Sequence, residues 1–308
     1  MVLKNNKGTE DNRVRKLDYS IQISKLFYER FIKDEEITLF SPHETPGLYE
    51  AFGMPEFDEM YEMYERKTSI SKKKIRAQEL FMNLLKERAE TGRIYIMNID
   101  HCNTHSSFKD KVYMSNLCQE ITLPTTPVQH IDDENGEIAL CILSAVTLGL
   151  IRDKDDLEEL CDLSVRALDE IIDYQEYPIL AAQQSAQSRR SLGIGYIGLA
   201  HYLAKNHVTY GDKEALELVD ETTEAFQYYL LKASNTLAQE KGQCEQFKNT
   251  KYSDGILPID TYKKDLDKIV KRKLSYDWKQ LRKDIQEHGL RHSTLSAQMP
   301  SESSSVVS

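Results

Sequence analysis

The sequence predicts an α/β fold, on three observations. Short apolar runs of strand length alternate with amphipathic stretches of helical period, which fits layered helix and sheet better than an all-helical bundle. Self-similarity at periods of roughly 20–50 residues is absent, and that disfavours a solenoid. A chain of 308 residues with 40% apolar and 29% charged side chains can bury a substantial core in one large unit or two smaller ones, so disorder is not its default state.

Residues 2–15 are polar, with a turn at Lys7-Gly8. Residues 19–32 carry Ile23, Leu26, Phe27 and Phe31 at helical spacing, and residues 37–40 read as a short strand before the turn-rich segment around Pro42, Pro46 and Gly47. Residues 71–89 read as a helix with Ala77, Phe81, Leu84 and Leu85 on one side and lysines at 72, 73 and 74 near its start, and Gly92 is placed to stop it. The apolar run 93–99 has the pattern of a strand buried on both faces. His101 and His105 follow it in what reads as a loop; a metal site would want them on one helix, so loop packing is the reading.

Residues 116–123 read as a strand or finger closed by Pro124 and Pro127, residues 132–136 as a turn, and residues 138–150 as a largely apolar segment containing Cys141. Residues 155–172 form a helix with Leu157, Leu160, Cys161, Ser164, Leu168 and Ile171 on one side, and Cys161 reads as core filling. Gly193, Gly195 and Gly198 match the dinucleotide fingerprint in form, but a basic polar run precedes them instead of a strand, so a glycine-rich helix packed closely on neighbouring backbone is expected. Residues 215–239 are the longest helix, with Leu216, Val219, Thr223, Phe226, Leu230, Ala233 and Leu237 as its stripe and Tyr228 and Tyr229 as packing residues beside it. Shorter helices are expected over 266–273 and 276–288, and the serine-rich end after Pro300 reads either as a flexible tail or as the first turn of a phosphate-binding helix.

A net charge of −10 argues against a general binder of nucleic acid or anionic membrane. No run approaches the roughly 18 uninterrupted apolar residues of a membrane span, and residues 1–6 lack the apolar stretch of a secretion signal, so a cytoplasmic location is expected. Five cysteines, at 102, 118, 141, 161 and 244, are odd in number and contain no Cys-x-x-Cys, unlike a secreted disulfide framework.

The stretch Ser115-Asn116-Leu117-Cys118-Gln119-Glu120-Ile121 carries the chemistry. If it is extended, Asn116, Cys118 and Glu120 share one face, which lines up an amide, a sulfur and a proton acceptor. The thiol could act as a nucleophile with Glu120 as base, although neither an imidazole nor a helix N-terminus adjoins it. It could instead carry a radical, which requires a dry, positioned site while Glu120 takes a hydroxyl proton and Asn116 holds a second hydroxyl. Or Cys118 is a small buried hydrophobe beside a solvated Glu120. Spacing alone leaves all three open.

Asn116-Leu117-Cys118-Gln119-Glu120-Ile121, Gly136-Glu137-Ile138-Ala139-Leu140-Cys141, Arg189-Arg190-Ser191-Leu192-Gly193-Ile194-Gly195 and Met299-Pro300-Ser301-Glu302-Ser303-Ser304-Ser305 resemble, in order, signatures of the large, catalytic subunit of class I aerobic ribonucleotide reductase, most of all its bacterial and bacteriophage forms. The resemblance runs over nearly all of the chain, which is similar to an interior slice of a much longer family member. It implies that residues 1–308 are a portion of a ten-stranded α/β barrel with Cys118 on a central finger loop. The ATP and effector regions would lie before it, and the radical-transfer tyrosines and C-terminal redox cysteines after it.

The resemblance also implies roles. Cys118 would become a thiyl radical and remove the 3′-hydrogen of a ribonucleoside diphosphate, Glu120 would take the 3′-hydroxyl proton, and Asn116 would hold substrate hydroxyls. Cys141 would be one of two reducing thiols, its partner lying outside this chain. Pro300, Ser301, Glu302, Ser303 and Ser304 would cradle the diphosphate. The chain itself would hold no metal or cofactor. It would depend on the radical-generating metal cofactor of a small subunit, on thioredoxin or glutaredoxin as reductant, and on complementary large-subunit segments, as from a split gene or an incomplete one. Alone it is expected to make no deoxynucleotide, and cut strand edges would leave it prone to aggregate.

Two other classes remain. A thiol-dependent hydrolase or transferase built on Cys118 would need His101, His105 or His130 near the sulfur. A non-catalytic assembly protein that retains an old enzyme sequence would tolerate Cys118→Ser without consequence.

Overall fold

A computed structural model describes residues 17, 19–268, 273–302 and 306. The chain divides into two compact units, Met1–Ser106 and Ser107–Ser308. The polar opening at 2–15, part of the expected helix at 266–273, and Ser303 and Ser304 of the expected phosphate turn lie outside the described residues.

The first unit runs β1 (Tyr19–Ile23), α1 (Lys25–Ile32), β2 (Glu36–Phe40), α2 (Leu48–Ala51), α3 (Phe57–Arg66), β3 (Lys72–Arg76), α4 (Ala77–Thr91), β4 (Ile94–Asn98) and α5 (Ile99–Thr104). Two segments predicted to be wholly helical are each a strand followed by a helix. In the first, β1 pairs in parallel with β4, and the Ser24 hydroxyl then caps α1 by accepting the Phe27 N–H. In the second, the lysines at 72, 73 and 74 belong to β3, antiparallel to β2, and α4 begins only at Ala77 and closes on Gly92 at φ +67°. Short apolar runs satisfy both periods, and the strand partner decides between them. His101 lies on α5 and His105 caps it, instead of standing in a loop, with their rings 5.1 Å apart edge to face.

The second unit contains β5 (Ile142–Thr147), α6 (Lys154–Tyr174), α7 (Leu180–Arg189), β6 (Leu192–Ile197), α8 (Leu199–Lys205), α9 (Lys213–Lys241) and α10 (Trp278–His288). β5 and β6 pair in parallel, with Leu143 opposite Gly193. The segment after Ser293 runs beside β6, whose Leu192 and Ile194 N–H groups donate to Thr294 and Leu295 carbonyls at 3.0 and 2.9 Å. The glycine-rich stretch is therefore a buried strand and not a helix.

The expected ten-stranded barrel is overturned. Among the described residues helix makes up 51% and strand 13%, and the strands form three unclosed two-stranded sheets, β1-β4, β2-β3 and β5-β6. Closure requires strands bonded on both edges with a common stagger, whereas each named strand here has one strand partner.

The main core of the second unit joins α6, α9 and α10 through Leu157, Val165, Leu230, Leu237, Trp278 and Ile285. On α6 the buried face is turned slightly from the predicted one: Cys161, Val165 and Ile172 are covered, while Leu160 and Ile171 are exposed. Leu216 of the predicted α9 stripe is also exposed.

Asp169 explains part of that turn. This α6 carboxylate is wholly buried, and it accepts from Arg190 Nε at 2.6 Å, Arg291 Nε at 3.2 Å and Lys241 Nζ at 3.4 Å, with His292 Nε2 at 3.2 Å. Burial opposes its ionisation, but the adjoining His292 ring and the Arg190 guanidinium outweigh that and hold the carboxyl well below the usual range. Burial likewise keeps His292 below the ordinary histidine range.

A carboxyl whose folded pKa lies below its unfolded value of about 4 contributes its full stability above that value and loses it as pH falls toward the folded pKa. Urea unfolding of the chain should therefore weaken below about pH 4. Asp169→Asn should flatten that decline and cost about 3–5 kcal/mol at neutral pH, as expected when one partner of a buried charge cluster is removed. An unchanged midpoint would show that the cluster contributes nothing.

Candidate active site

The segment that carries Cys118 leaves Phe108, which is buried and bridged to Thr250, and returns through Ile121 and Leu123, which pack with Phe108 and Ala297. Between these anchors the chain turns back on itself. The Gln119 N–H donates to the Asn116 carbonyl at 3.3 Å, Gln119 takes φ +60°, and the Ile121 N–H donates to Asn116 Oδ1 at 3.4 Å. The strand expected over 116–123, with Asn116, Cys118 and Glu120 on one face, is thus replaced by a turn. A left-handed residue breaks the two-residue alternation on which that expectation rested.

The turn separates the three side chains. Asn116 and Glu120 line a cavity of about 450 Å³ together with Cys141, Thr125, Thr126, Glu137 and apolar residues that include Ile121, Leu123 and Leu143. Cys118 is exposed at the turn and does not line that cavity, against the expectation of a dry sulfur on a central finger. Its exposure follows from the turn, because Ile121 and Leu123 occupy the buried anchor while residues 117–118 form the tip. Among the described residues no hydrogen bond joins a histidine to Cys118, and His130 is exposed on a separate turn.

Glu120 supplies the cavity's distinctive feature. Its Oε2 is buried without a hydrogen-bond partner, an arrangement that costs about 1–3 kcal/mol unless a ligand or another group supplies a proton donor. Beside it, burial first and the Glu120 carboxylate second push the Cys141 thiol up to about 12, so near neutrality this sulfur holds its proton. The cavity therefore offers a carboxylate able to accept from a hydroxyl, an amide, and a protonated thiol. That set suits proton and hydrogen transfer to a polyhydroxylated ligand better than thiolate attack.

Sequence reasoning missed the far wall. Arg189 donates from Nε and Nη2 to the two oxygens of Glu137, at 3.0 and 2.8 Å, and from Nη1 to Asp110 at 2.9 Å. Thr126 and Glu137 pair as an antiparallel bridge, so this fork holds one side of the cavity in place. The Arg189-Arg190 pair was the available signal, which the sequence shows as a basic run and as the start of a family signature but without its carboxylate partners. Pro300 is exposed and irregular, Ser301 is half-buried, and Glu302 lies in a turn; none of the three lines the cavity. All five cysteines are free, and among the described residues no group of three or more His, Cys, Asp and Glu side chains is arranged to hold a metal ion. No described helix is long and apolar enough to cross a membrane.

Over residues 1–308 the sequence matches the family model described as ribonucleotide reductase, barrel domain. It is 60% identical over 313 residues to the ribonucleoside-diphosphate reductase subunit alpha of Haemophilus influenzae. It is 58% identical over 313 residues to the ribonucleoside-diphosphate reductase 1 subunit alpha of Escherichia coli, and 47% identical over 316 residues to the subunit alpha of Enterobacteria phage T4. Each comparison covers 100% of this chain and 41% of the relative, so the chain spans well under half the length of the curated relatives it matches.

Glu120→Gln replaces a half-buried carboxylate, whose Oε2 has no hydrogen-bond partner, by a neutral amide, and urea unfolding should show a gain of about 1 kcal/mol. The same change should lower the pH at which Cys141 reacts with an alkylating reagent, since the carboxylate raises that thiol. A loss of stability would mean that Oε2 is satisfied in the folded chain.

Proposed function

The chain belongs to the ribonucleotide reductase barrel-domain family, and from that premise we propose that it serves as part of a class I ribonucleoside-diphosphate reductase alpha subunit, with the Glu120 cavity as part of the substrate site. The observation that carries this reading is the buried, unpartnered Glu120 oxygen in a cavity shared with Asn116 and the protonated Cys141. A 3′-hydroxyl of a bound ribonucleoside diphosphate would donate to that oxygen, and Asn116 would hold a neighbouring hydroxyl.

In this scheme a thiyl radical at Cys118 takes the 3′-hydrogen atom and becomes a thiol, leaving a carbon radical at C3′. Glu120 accepts the 3′-hydroxyl proton, which eases loss of the 2′-hydroxyl as water with a proton taken from a thiol. Cys141 and a second thiol from outside this chain supply two electrons and two protons and end as a disulfide. Glu120 then returns its proton to the 3′-oxygen and the hydrogen atom returns to C3′, regenerating the carboxylate and the thiyl. A small subunit with a radical-generating metal centre would supply the radical, and thioredoxin or glutaredoxin would reduce the disulfide. Pro300, Ser301, Glu302, Ser303 and Ser304 hold the diphosphate, and ATP or deoxynucleotide effectors bind other parts of the subunit. Cys118, two residues from both Asn116 and Glu120, reaches the sugar once complementary alpha-subunit segments cover the exposed turn.

Reduction of a ribonucleoside diphosphate with dithiol and a small subunit tests the reading. The chain alone should give no turnover. With complementary alpha-subunit segments turnover should appear, fall to background with Cys118→Ser, and fall by about 10²–10⁴-fold with Glu120→Gln, the range for loss of a general acid–base group. Turnover by the chain alone, or activity that survives Cys118→Ser, would overturn it.

A further inference from the structure

The Gly193-Ile194-Gly195 motif has no part in the chemistry above, and its surroundings assign it one. Both glycines lie inside β6, two residues apart, so their missing side chains would project from the same face of the strand. A Cβ at Gly193 would lie 2.6 Å from Leu143 Cδ2, 2.9 Å from Cys141 Sγ and 3.2 Å from the Ala297 Cβ. A Cβ at Gly195 would lie 2.4 Å from the Ala297 carbonyl oxygen and 2.6 Å from Met299 Sδ. The space above this motif is filled by protein, which leaves no room there for the pyrophosphate of a dinucleotide.

We propose that Gly193 is a positioning residue that sets the depth of the Glu120 cavity, by letting the Cys141 thiol and the Leu143 side chain sink against the β6 backbone instead of standing in the space the ligand needs. The neighbours of Gly193 differ in their freedom to move. Ala297 is buried, and its N–H is tied to the Ile194 carbonyl at 3.3 Å. Leu143 is held opposite Gly193 by the β5–β6 register, but its side chain and that of Cys141 both border the cavity. With Ala297 fixed on one side, a methyl group at position 193 drives Sγ and Cδ2 toward the cavity that both side chains border. Gly195 acts on the same face by allowing residues 297–299 to lie flat on the strand that carries Gly193.

This inference takes its functional meaning from the reductase reading, but its test needs no substrate. The 308-residue chain and its Gly193→Ala variant are alkylated with iodoacetamide across a pH series, and each cysteine is quantified by mass spectrometry relative to the exposed Cys118. With Glu120→Gln present in both proteins, so that a closer approach to the carboxylate does not raise the thiol, Cys141 of the Gly193→Ala variant should react about tenfold faster at a given pH, equivalent to a fall of about one unit in its titration midpoint, because a sulfur moved out of its burial regains thiolate. Cys161 and Cys244, buried in the helical core and not among the neighbours of Gly193, should stay protected. Unchanged Cys141 reactivity, or a parallel rise at Cys161 and Cys244 that signals a loosened fold, overturns the proposal. If Gly193→Ala does not accumulate as folded protein, Gly193→Ala combined with Leu143→Ala removes the 2.6 Å contact and keeps the one to Sγ, with the same expectations. A negative result here leaves the deoxynucleotide assay to judge the reductase reading separately.

Discussion

Asp169, a carboxylate with no exposure to water, is the point about which the site-bearing unit is assembled. It binds the end of α7 through Arg190, the end of α9 through Lys241, and the chain entering the 293–299 segment through Arg291 and His292. A charge this deeply buried is tolerable only when its partners are all in place, so these elements must arrive together or not at all. Arg190 reaches Asp169 from a left-handed backbone at φ +48°. Arg189, one residue earlier and still helical, reaches the other way to Glu137 and Asp110. Two consecutive guanidinium groups thus tie the helical core to the cavity wall.

The same junction explains why the 293–299 segment lies where it does. Ser293 N–H donates to the Arg189 carbonyl, and its hydroxyl meets that of Ser191 at 3.1 Å, so the segment starts in register beside β6. From there it passes over Gly193 and Gly195 toward Met299 and Pro300. Cys141 comes onto the same face from the start of β5. The cavity is lined by residues 114–143 alone, and β6 with the 293–299 segment supports it from behind, where Gly193 lies against Cys141 and Leu143.

Much of this was legible beforehand. The long helices around Cys161 and Leu230 declared themselves by period, because an amphipathic stripe over many residues has few alternative readings, and Gly92 marked the end of α4. Short segments were less readable. Ile21 and Ile23 fit a helix and a strand equally, and only the pairing of β1 with β4 separates the two. The Asn116–Glu120 alternation looked extended, but the Asn116 side chain closes a turn by accepting from Ile121, a bond that depends on Ile121 being anchored against Phe108 and Ala297.

The order and chemistry of its motifs determined, from sequence alone, the family and the candidate site residues, a carboxylate, an amide and two thiols. Tertiary structure alone decided that Glu120 and Asn116 face a cavity with Cys141 while Cys118 stands outside it, that the glycines form a strand, and that the described strands pair in twos without closing a barrel. The physical reason is that residue type and period are local properties, whereas burial, strand partnership and an unsatisfied hydrogen-bonding group exist only between segments far apart in the chain.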